Sequence, residues 1–546
     1  MTDAVLEAHP PLEAAANEWL TLLNARQPAG WDVHSDLLLV CGAPDRSLQQ
    51  ALGAMEQRRV LWIGPEGVTG PDNAPPLADW RCVAETAATT AWLQALVRDW
   101  RRPLPKQVLR LRMPDTPEHP LQDQVLAQLQ LLLMQRWTDD RTRDQFGQAW
   151  LEQSLANLPL LARQQPLDRL DSLFAGRPAI LIAPGPSLDR NIDQLRALQG
   201  RAVLIAPLQT LRRLHKAGVQ PDLVLVLDAT DLTEPPYDFI GDLTPHELPT
   251  LVAAVHTHPN VIRRFARVFH FSGGGPVDHW MAELDGRPLV DLKARSVALS
   301  ALLLAHRWGC SPIVLVGQDL ALAGDGQRYA QGAQLNAFDQ AQHLYPLPGW
   351  HGGVVQSPAD YTVFHQDFVR LAPQLRQVRP EVALFNCTEG GAFIPGFEHR
   401  PLRDVLDQLS RSGALPPSAS PIDWPQAPDA ATGPAIAEHV QTYLSGQRRA
   451  LEDCARQARS CAQISKRLPA GAAGLQKLQA AEQAMRESMK RVKGFAILYR
   501  QDIDAARNAA ARARNLAENL EASRRLYAVV EQGCERLMRL LPASAT

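Results

Sequence analysis

The chain has 546 residues, 45% of them hydrophobic and 21% charged, with a net charge of −2. That length accommodates two or three domains with ample core, and the near-neutral balance excludes an electrostatic footprint for nucleic acid or an acidic membrane. No stretch approaches the roughly 20 apolar residues of a membrane span, residues 1–20 do not read as a signal peptide, and the seven scattered cysteines form no C-x-x-C pair. Neither a disulfide framework nor a zinc site is indicated, and the cytoplasm is the expected compartment.

Residues 1–165 show a first α/β pattern. Asp36 to Cys41 reads as a strand, Gly42 to Asp45 as a turn, Arg46 to Met55 as a helix and Val60 to Ile63 as the next strand. The Gly-x-Gly-x-x-Gly fingerprint is absent, with only Gly42 retained, so a degenerate Rossmann-like domain used for structure or partner contact is expected.

Residues 166–400 carry the stronger pattern. Ala179 to Ala183 is a short apolar strand, followed by Pro184-Gly185-Pro186-Ser187-Leu188-Asp189. Leu188, Ile192, Leu195 and Leu198 then recur at helical spacing. Strand, tight turn and helix form the layout of a phosphate or nucleotide site: Gly185 permits close backbone approach, and the first helical turn offers N–H groups to an anion. Ser187 is equally suited to be only an N-cap. Further strands are expected at Ala202 to Ala206, Leu223 to Leu227, Leu251 to Val255, Val268 to Phe271 and Ile313 to Val316, with helices from Thr210 to Ala217 and from Ser296 to Gly309. Continuous apolar strands alternating with helices predict a parallel sheet covered on both faces, with ligands beyond the carboxyl ends of its strands. That rim would collect Gly185 to Ser187, Asp228, Gln318 and Asp319. A bulky residue at position 185 is therefore expected to block a ligand while sparing the fold. His256 and His258 lack a third ligand nearby and read as polar contacts, Gly273 to Gly275 lack the Lys-Ser/Thr of a phosphate loop, and the basic run Arg212 to Lys216 reads as a solvated helix face.

Residues 401–434 have linker composition, rich in Pro, Ala, Ser and Asp from Pro416 to Pro434. Residues 435–546 predict a helical domain, in which Leu475, Leu478, Met485, Met489 and Val492 keep the spacing of a bundle core.

Five motifs in order give the chain a family resemblance. They are Gly185-Pro186-Ser187-Leu188-Asp189, Ser296-Val297 opening a helix, Gly317-Gln318-Asp319-Leu320-Ala321, Gly352 to Pro358, and Asn386-Cys387-Thr388-Glu389-Gly390-Gly391-Ala392. The segment Trp150 to Pro159 resembles the lead-in to the same domain. This order resembles the motility accessory factors, bacterial flagellin glycosyltransferases. Their central domain is similar to archaeal hydroxymethylpterin pyrophosphokinase and distantly to bacterial sialyltransferases. The chain departs from the family at Ala294-Arg295, where Gly often precedes the Ser-Val pair, and at Tyr329-Ala330, where a His-Ala is common.

The resemblance implies transfer of a nonulosonic acid of pseudaminic or legionaminic type from a CMP-activated donor to Ser or Thr of flagellin, with no cofactor or metal required. It implies a donor site of Gly185, Pro186, Ser187, Asp228, Ser296, Gln318, Asn386 and Thr388. Asp319 or Glu389 is the expected base, since burial tunes a carboxylate upward, and Tyr329 is a hydrogen-bond donor where relatives carry His. The alternatives are an ATP-dependent pterin pyrophosphokinase and a non-catalytic flagellin-binding assembly factor.

Overall fold

A computed structural model of the chain describes residues 3–6, 36–41, 48, 50–51, 59–64, 78–82, 86–100, 104–112, 120–161, 165–227, 230–232, 237–272, 290–292, 294–324, 326–330, 344–425, 432–467, 472–492, 499–511 and 515–541. It divides into two compact units, Met1–Thr142 and Arg143–Thr546. Among the described residues no helix is long and apolar enough to cross a membrane.

The first unit is built on five parallel strands, β1 (Asp3–Leu6), β2 (Leu37–Cys41), β3 (Arg59–Gly64), β4 (Ala78–Cys82) and β5 (Val108–Arg112). Their order is β1-β5-β2-β3-β4. Every residue of β2 is buried, as a continuous apolar run in a covered parallel strand requires. Helices α1 (Thr86–Asp99) and α2 (Pro120–Leu161) supply Leu93, Val97, Val125, Leu129 and Leu133 to this core. The expected turn from Gly42 to Asp45 lies outside the described residues.

The second unit holds a nine-stranded parallel sheet. Its strands are β6 (Gln165–Pro166), β7 (Ala179–Ile182), β8 (Val203–Pro207), β9 (Leu223–Val226), β10 (Thr250–Ala254), β11 (Val268–Phe271), β12 (Ile313–Val316), β15 (Leu384–Asn386) and β16 (Glu398–His399). Between β12 and β15, β13 (Leu344–Pro348) and β14 (Val354–Pro358) form a separate antiparallel hairpin. The sheet order is β16-β15-β12-β7-β8-β9-β10-β11-β6. From β7 the chain steps outward strand by strand to β11, then returns to lay β12 on the other side of β7. The topological switch point therefore falls between β7 and β12, where open parallel sheets bind ligands.

Strand alternation sorts the apolar side chains to two faces. Leu181, Ile205, Leu225 and Val252 share a core with Leu299 and Leu302 of α6 (Val297–Arg307) and Phe368 of α7 (Ala359–Val378). Ile180, Ile182, Leu204 and Val314 pack on the opposite face against Leu188 and Ile192 of α3 (Leu188–Arg196) and Leu402 and Val405 of α8 (Leu402–Arg411). The short helices α4 (Leu211–Lys216) and α5 (Pro259–Arg264) complete the covering. The fold class expected from the apolar runs is the one observed.

The C-terminal helices are α9 (Thr432–Lys466), α10 (Ala472–Arg491), α11 (Arg500–Ala511) and α12 (Leu516–Leu540). Leu478, Met485 and Val492 lie in their shared core with Leu451, Tyr527 and Val530, and Met489 packs against it.

Two boundaries differ from expectation. The last turns of α2 belong to the second unit: Leu151 and Leu155 join the core of the C-terminal helices, so the division falls after Thr142 rather than at residue 165. Residues 401–425 of the expected linker 401–434 are also not free, and residues 426–431 lie outside the described residues. Leu402, Val405 and Leu409 bury one face of α8, Ser420 N–H donates to the Gly200 carbonyl (2.9 Å), and the Trp424 ring meets Phe174 edge-on at 5.9 Å. Proline-rich composition here marks an extended strap, because an irregular backbone fixed by tertiary contacts uses the same residues as a loose one.

The fully buried Asn157 of α2 donates from Nδ2 to the carbonyls of Val255 (2.9 Å) and Thr257 (2.7 Å), just past β10. Asn157→Ala leaves both acceptors unmet and should lower the unfolding free energy by roughly 2–3 kcal/mol. Urea unfolding of parent and variant measures this, and coincident midpoints would contradict it.

Candidate functional site

Three loops meet at the switch point: residues 183–187 after β7, 317–320 after β12 and 387–392 after β15. Asp319 ties them together. Its Oδ2 accepts from Ser187 Oγ (2.7 Å) and from the Ser187 N–H (3.3 Å), and the residue is only 7% exposed. Burial pushes its carboxyl up to about 6, against the downward pull of the two Ser187 hydrogen bonds and Arg190. Gly185 N–H donates to the Gly317 carbonyl (2.9 Å) and Ala392 N–H to the Asp319 carbonyl (2.7 Å). The packing admits no side chains at two of these glycines. A Cβ at Gly185 would stand 2.0 Å from Asp319 Oδ2 and 2.4 Å from the Gly317 carbonyl oxygen. One at Gly391, whose φ is +68°, would stand 2.1 Å from the Asp319 carbonyl oxygen.

The third loop is held as tightly. Gln318 N–H donates to Thr388 Oγ1 (3.1 Å), and Thr388 N–H donates to Asn386 Oδ1 (3.1 Å). Asn386 and Thr388 are fully buried and Gln318 is nearly so. Glu389 adopts a φ of +57°, and its Oε1 accepts from Leu402 N–H (2.9 Å), capping α8. Tyr329 is half-buried beside the first loop, because Ala330 N–H donates to the Pro184 carbonyl (2.8 Å). Its ring meets Tyr361 edge-on at 6.5 Å, and the Arg328 guanidinium, paired with Asp360, lies over both rings. Burial, then the neighbouring Tyr329, holds the Tyr361 phenol well above its ordinary value.

The structure thus brings Gly185, Pro186, Ser187, Gln318, Asp319, Asn386, Thr388 and Glu389 together and sets Tyr329 beside them. It assigns several of them an inward task. Ser187 stands at the N-cap position of α3 but makes no capping bond. It is 1% exposed, and its hydroxyl serves Asp319. The anion at this helix N-terminus is the protein's own carboxylate, which takes the place expected for a ligand phosphate. Ser296 is an ordinary N-cap, accepting from Leu299 N–H (3.2 Å). Asp228 and Gly273 to Gly275 lie outside the described residues. His256 reaches the Leu227 carbonyl and stacks obliquely on Trp150, and His258 caps α5. Both make the polar contacts expected of them.

Two outward residues carry no motif and were missed. Arg190, in the first turn of α3, is exposed. It donates from Nη1 to the Glu389 carbonyl (2.9 Å) and forms no ion pair among the described residues. His351, exposed at the tip of the β13–β14 hairpin, shares that carbonyl through Nε2 (3.0 Å). Helical phase from Ser187 signals Arg190. Nothing local signals His351, whose placement depends on hairpin pairing. A cavity of about 440 Å³ lies at the opposite end of the sheet, beyond the amino ends of β8 to β11, and is lined by Asp222, Arg267 and Trp424 among others. Burial pushes the Asp222 carboxyl up to about 6.

Residues 152–325 match the family model described as 6-hydroxymethylpterin diphosphokinase MptE-like. That segment is therefore similar to this family, as the motif order implies. A solved MAf glycosyltransferase from Magnetospirillum magneticum AMB-1 aligns over 98% of this chain and 84% of its own, with 16% identity and a TM-score of 0.49. No curated protein matches the chain.

The fit around Gly185 overturns the expectation that a bulky residue there spares the fold. Gly185→Val should destabilise the protein by roughly 3 kcal/mol or more, because the backbone and a buried carboxylate must both move. A variant with the parent's thermal unfolding midpoint would contradict this.

Asp319 and Asp222 both bind a proton more tightly folded than unfolded. Their contribution is complete below the ordinary value of 3.8 and is lost as pH rises through about 6. Asp319→Asn should therefore gain stability relative to the parent between pH 4 and pH 7, by up to roughly 3 kcal/mol. Unfolding free energies of both proteins across that range test this, and a pH-independent difference would contradict it.

Proposed function

We propose that the chain is a glycosyltransferase that moves a nonulosonic acid from its CMP ester to Ser or Thr hydroxyls of flagellin. The observation that carries this reading is the braced rim at the switch point, with the exposed Arg190 guanidinium fixed above it. Open parallel sheets receive nucleotides at this position, and Arg190 offers remaining N–H donors to a phosphate. The chemistry needs a leaving phosphate to be stabilised and a hydroxyl to be positioned, and preorganised charge performs the first task without reorganisation. In this reading Asp319 holds the site's shape through Ser187, Glu389 anchors α8 and presents its carbonyl to Arg190, and Tyr329 borders the acceptor side. The motif order shared with the motility accessory factors supports flagellin as acceptor and the CMP ester as donor.

The pterin reading keeps one specific support, the MptE-like match of residues 152–325. It requires ATP, and magnesium to neutralise the transferred phosphates.

Incubation of the purified protein with flagellin and CMP-pseudaminic or CMP-legionaminic acid should add one or more nonulosonic residues to flagellin by intact mass, and the addition should persist in EDTA. Arg190→Ala should raise the KM for the donor tenfold or more, since a charge-assisted contact contributes about 1.5–3 kcal/mol. Unmodified flagellin together with magnesium-dependent AMP release from ATP and 6-hydroxymethylpterin would overturn the transferase reading.

A further inference from the structure

We infer that His351 is the general base that takes the proton of the acceptor hydroxyl. The inference rests on the transferase reading and deepens it. Asp319 is buried with Oδ2 committed to both Ser187 donors, and Glu389 commits Oε1 to the first N–H of α8. Of the histidines around the rim, His365 is buried against the Phe393 carbonyl, and His399 accepts from Ile394 N–H at Nε2 while Nδ1 meets the Phe397 carbonyl. His351 alone among them is exposed.

Its placement is fixed by the backbone. The hairpin tip is joined to the third loop by Trp350 N–H donating to the Gly391 carbonyl (2.8 Å), Phe393 N–H to the Pro348 carbonyl (2.8 Å), and Trp350 Nε1 to the Asn386 carbonyl (3.2 Å). The Trp350 ring meets the imidazole edge-on at 4.5 Å. The left-handed backbone at Glu389 presents the carbonyl that His351 Nε2 contacts. A carbonyl only accepts, so Nε2 carries a hydrogen, and in the neutral tautomer that makes this contact Nδ1 keeps its lone pair. The next residue, Gly390, packs against Ser187 and Asp319, and a Cβ there would lie 3.4 Å from Asp319 Oδ1. The oriented imidazole thus stands at the outer edge of the braced site, beside Arg190.

In the step, the acceptor oxygen bonds to the anomeric carbon of the donor and the bond from that carbon to the phosphate oxygen breaks. CMP departs with the bonding electrons, and the hydroxyl proton passes to Nδ1.

The test uses the full-length protein, flagellin and CMP-nonulosonic acid, with CMP release as the rate. His351→Ala should lower kcat by about 10²–10⁴-fold, leave the donor KM within threefold and keep the parent's unfolding midpoint. Added imidazole should restore at least tenfold. A kcat within threefold of the parent, or a loss that imidazole does not reverse, overturns the role of His351 while parent turnover upholds transfer. Absence of turnover by the parent overturns both.

Discussion

The buried pair of Asp319 and Ser187 is the constraint on which the rest of the site depends. A carboxylate taken from water is costly unless its oxygens are met by donors. Here two donors come from a single residue, and that residue opens α3, whose N-terminal dipole also favours negative charge. The pairing draws the loop after β12 onto the loop after β7. Through the Ala392 N–H and the space left by Gly391, it also draws in the loop after β15. Three strand ends that are remote in sequence become one surface because one carboxyl has to be satisfied.

This arrangement separates the site into two layers with different chemistry. The inner layer of Ser187, Gln318, Asp319, Asn386 and Thr388 is buried and spends its hydrogen bonds on the protein. The outer layer of Arg190, His351 and the Glu389 carbonyl between them is exposed, and its geometry is inherited from the inner one. A rigid support beneath exposed polar groups is what catalysis by positioning requires, since groups that are already oriented need no rearrangement at the moment of reaction. The double use of Glu389 shows the economy of the design: its carboxylate caps α8 and its carbonyl anchors both outer side chains.

Much of the fold was legible from runs such as Ile180 to Ile182 and Leu223 to Val226, because a strand buried on both faces leaves no choice but continuous apolar residues. The rim was legible too, since motifs at strand ends locate themselves once the strands are placed. The order of the strands was not. Adjacency of β7 and β12 depends on a crossover more than 100 residues long, and only that adjacency reveals that Ser187 faces Asp319 rather than a ligand. Residue type alone cannot separate a serine that binds phosphate from one that braces a carboxylate. The strap at 415–425 and the membership of Leu151 and Leu155 in the C-terminal core were hidden for the same reason: long-range packing decided them, and local composition does not record it.

Hydrogen–deuterium exchange with and without CMP-nonulosonic acid tests most directly whether the braced rim is the ligand site. Ligand should slow exchange in peptides covering residues 184–192, 317–322, 349–353 and 386–391 and leave those around Asp222 and Arg267 unchanged. Protection confined to the opposite end of the sheet or to the first unit, with the rim unaffected, would contradict the account.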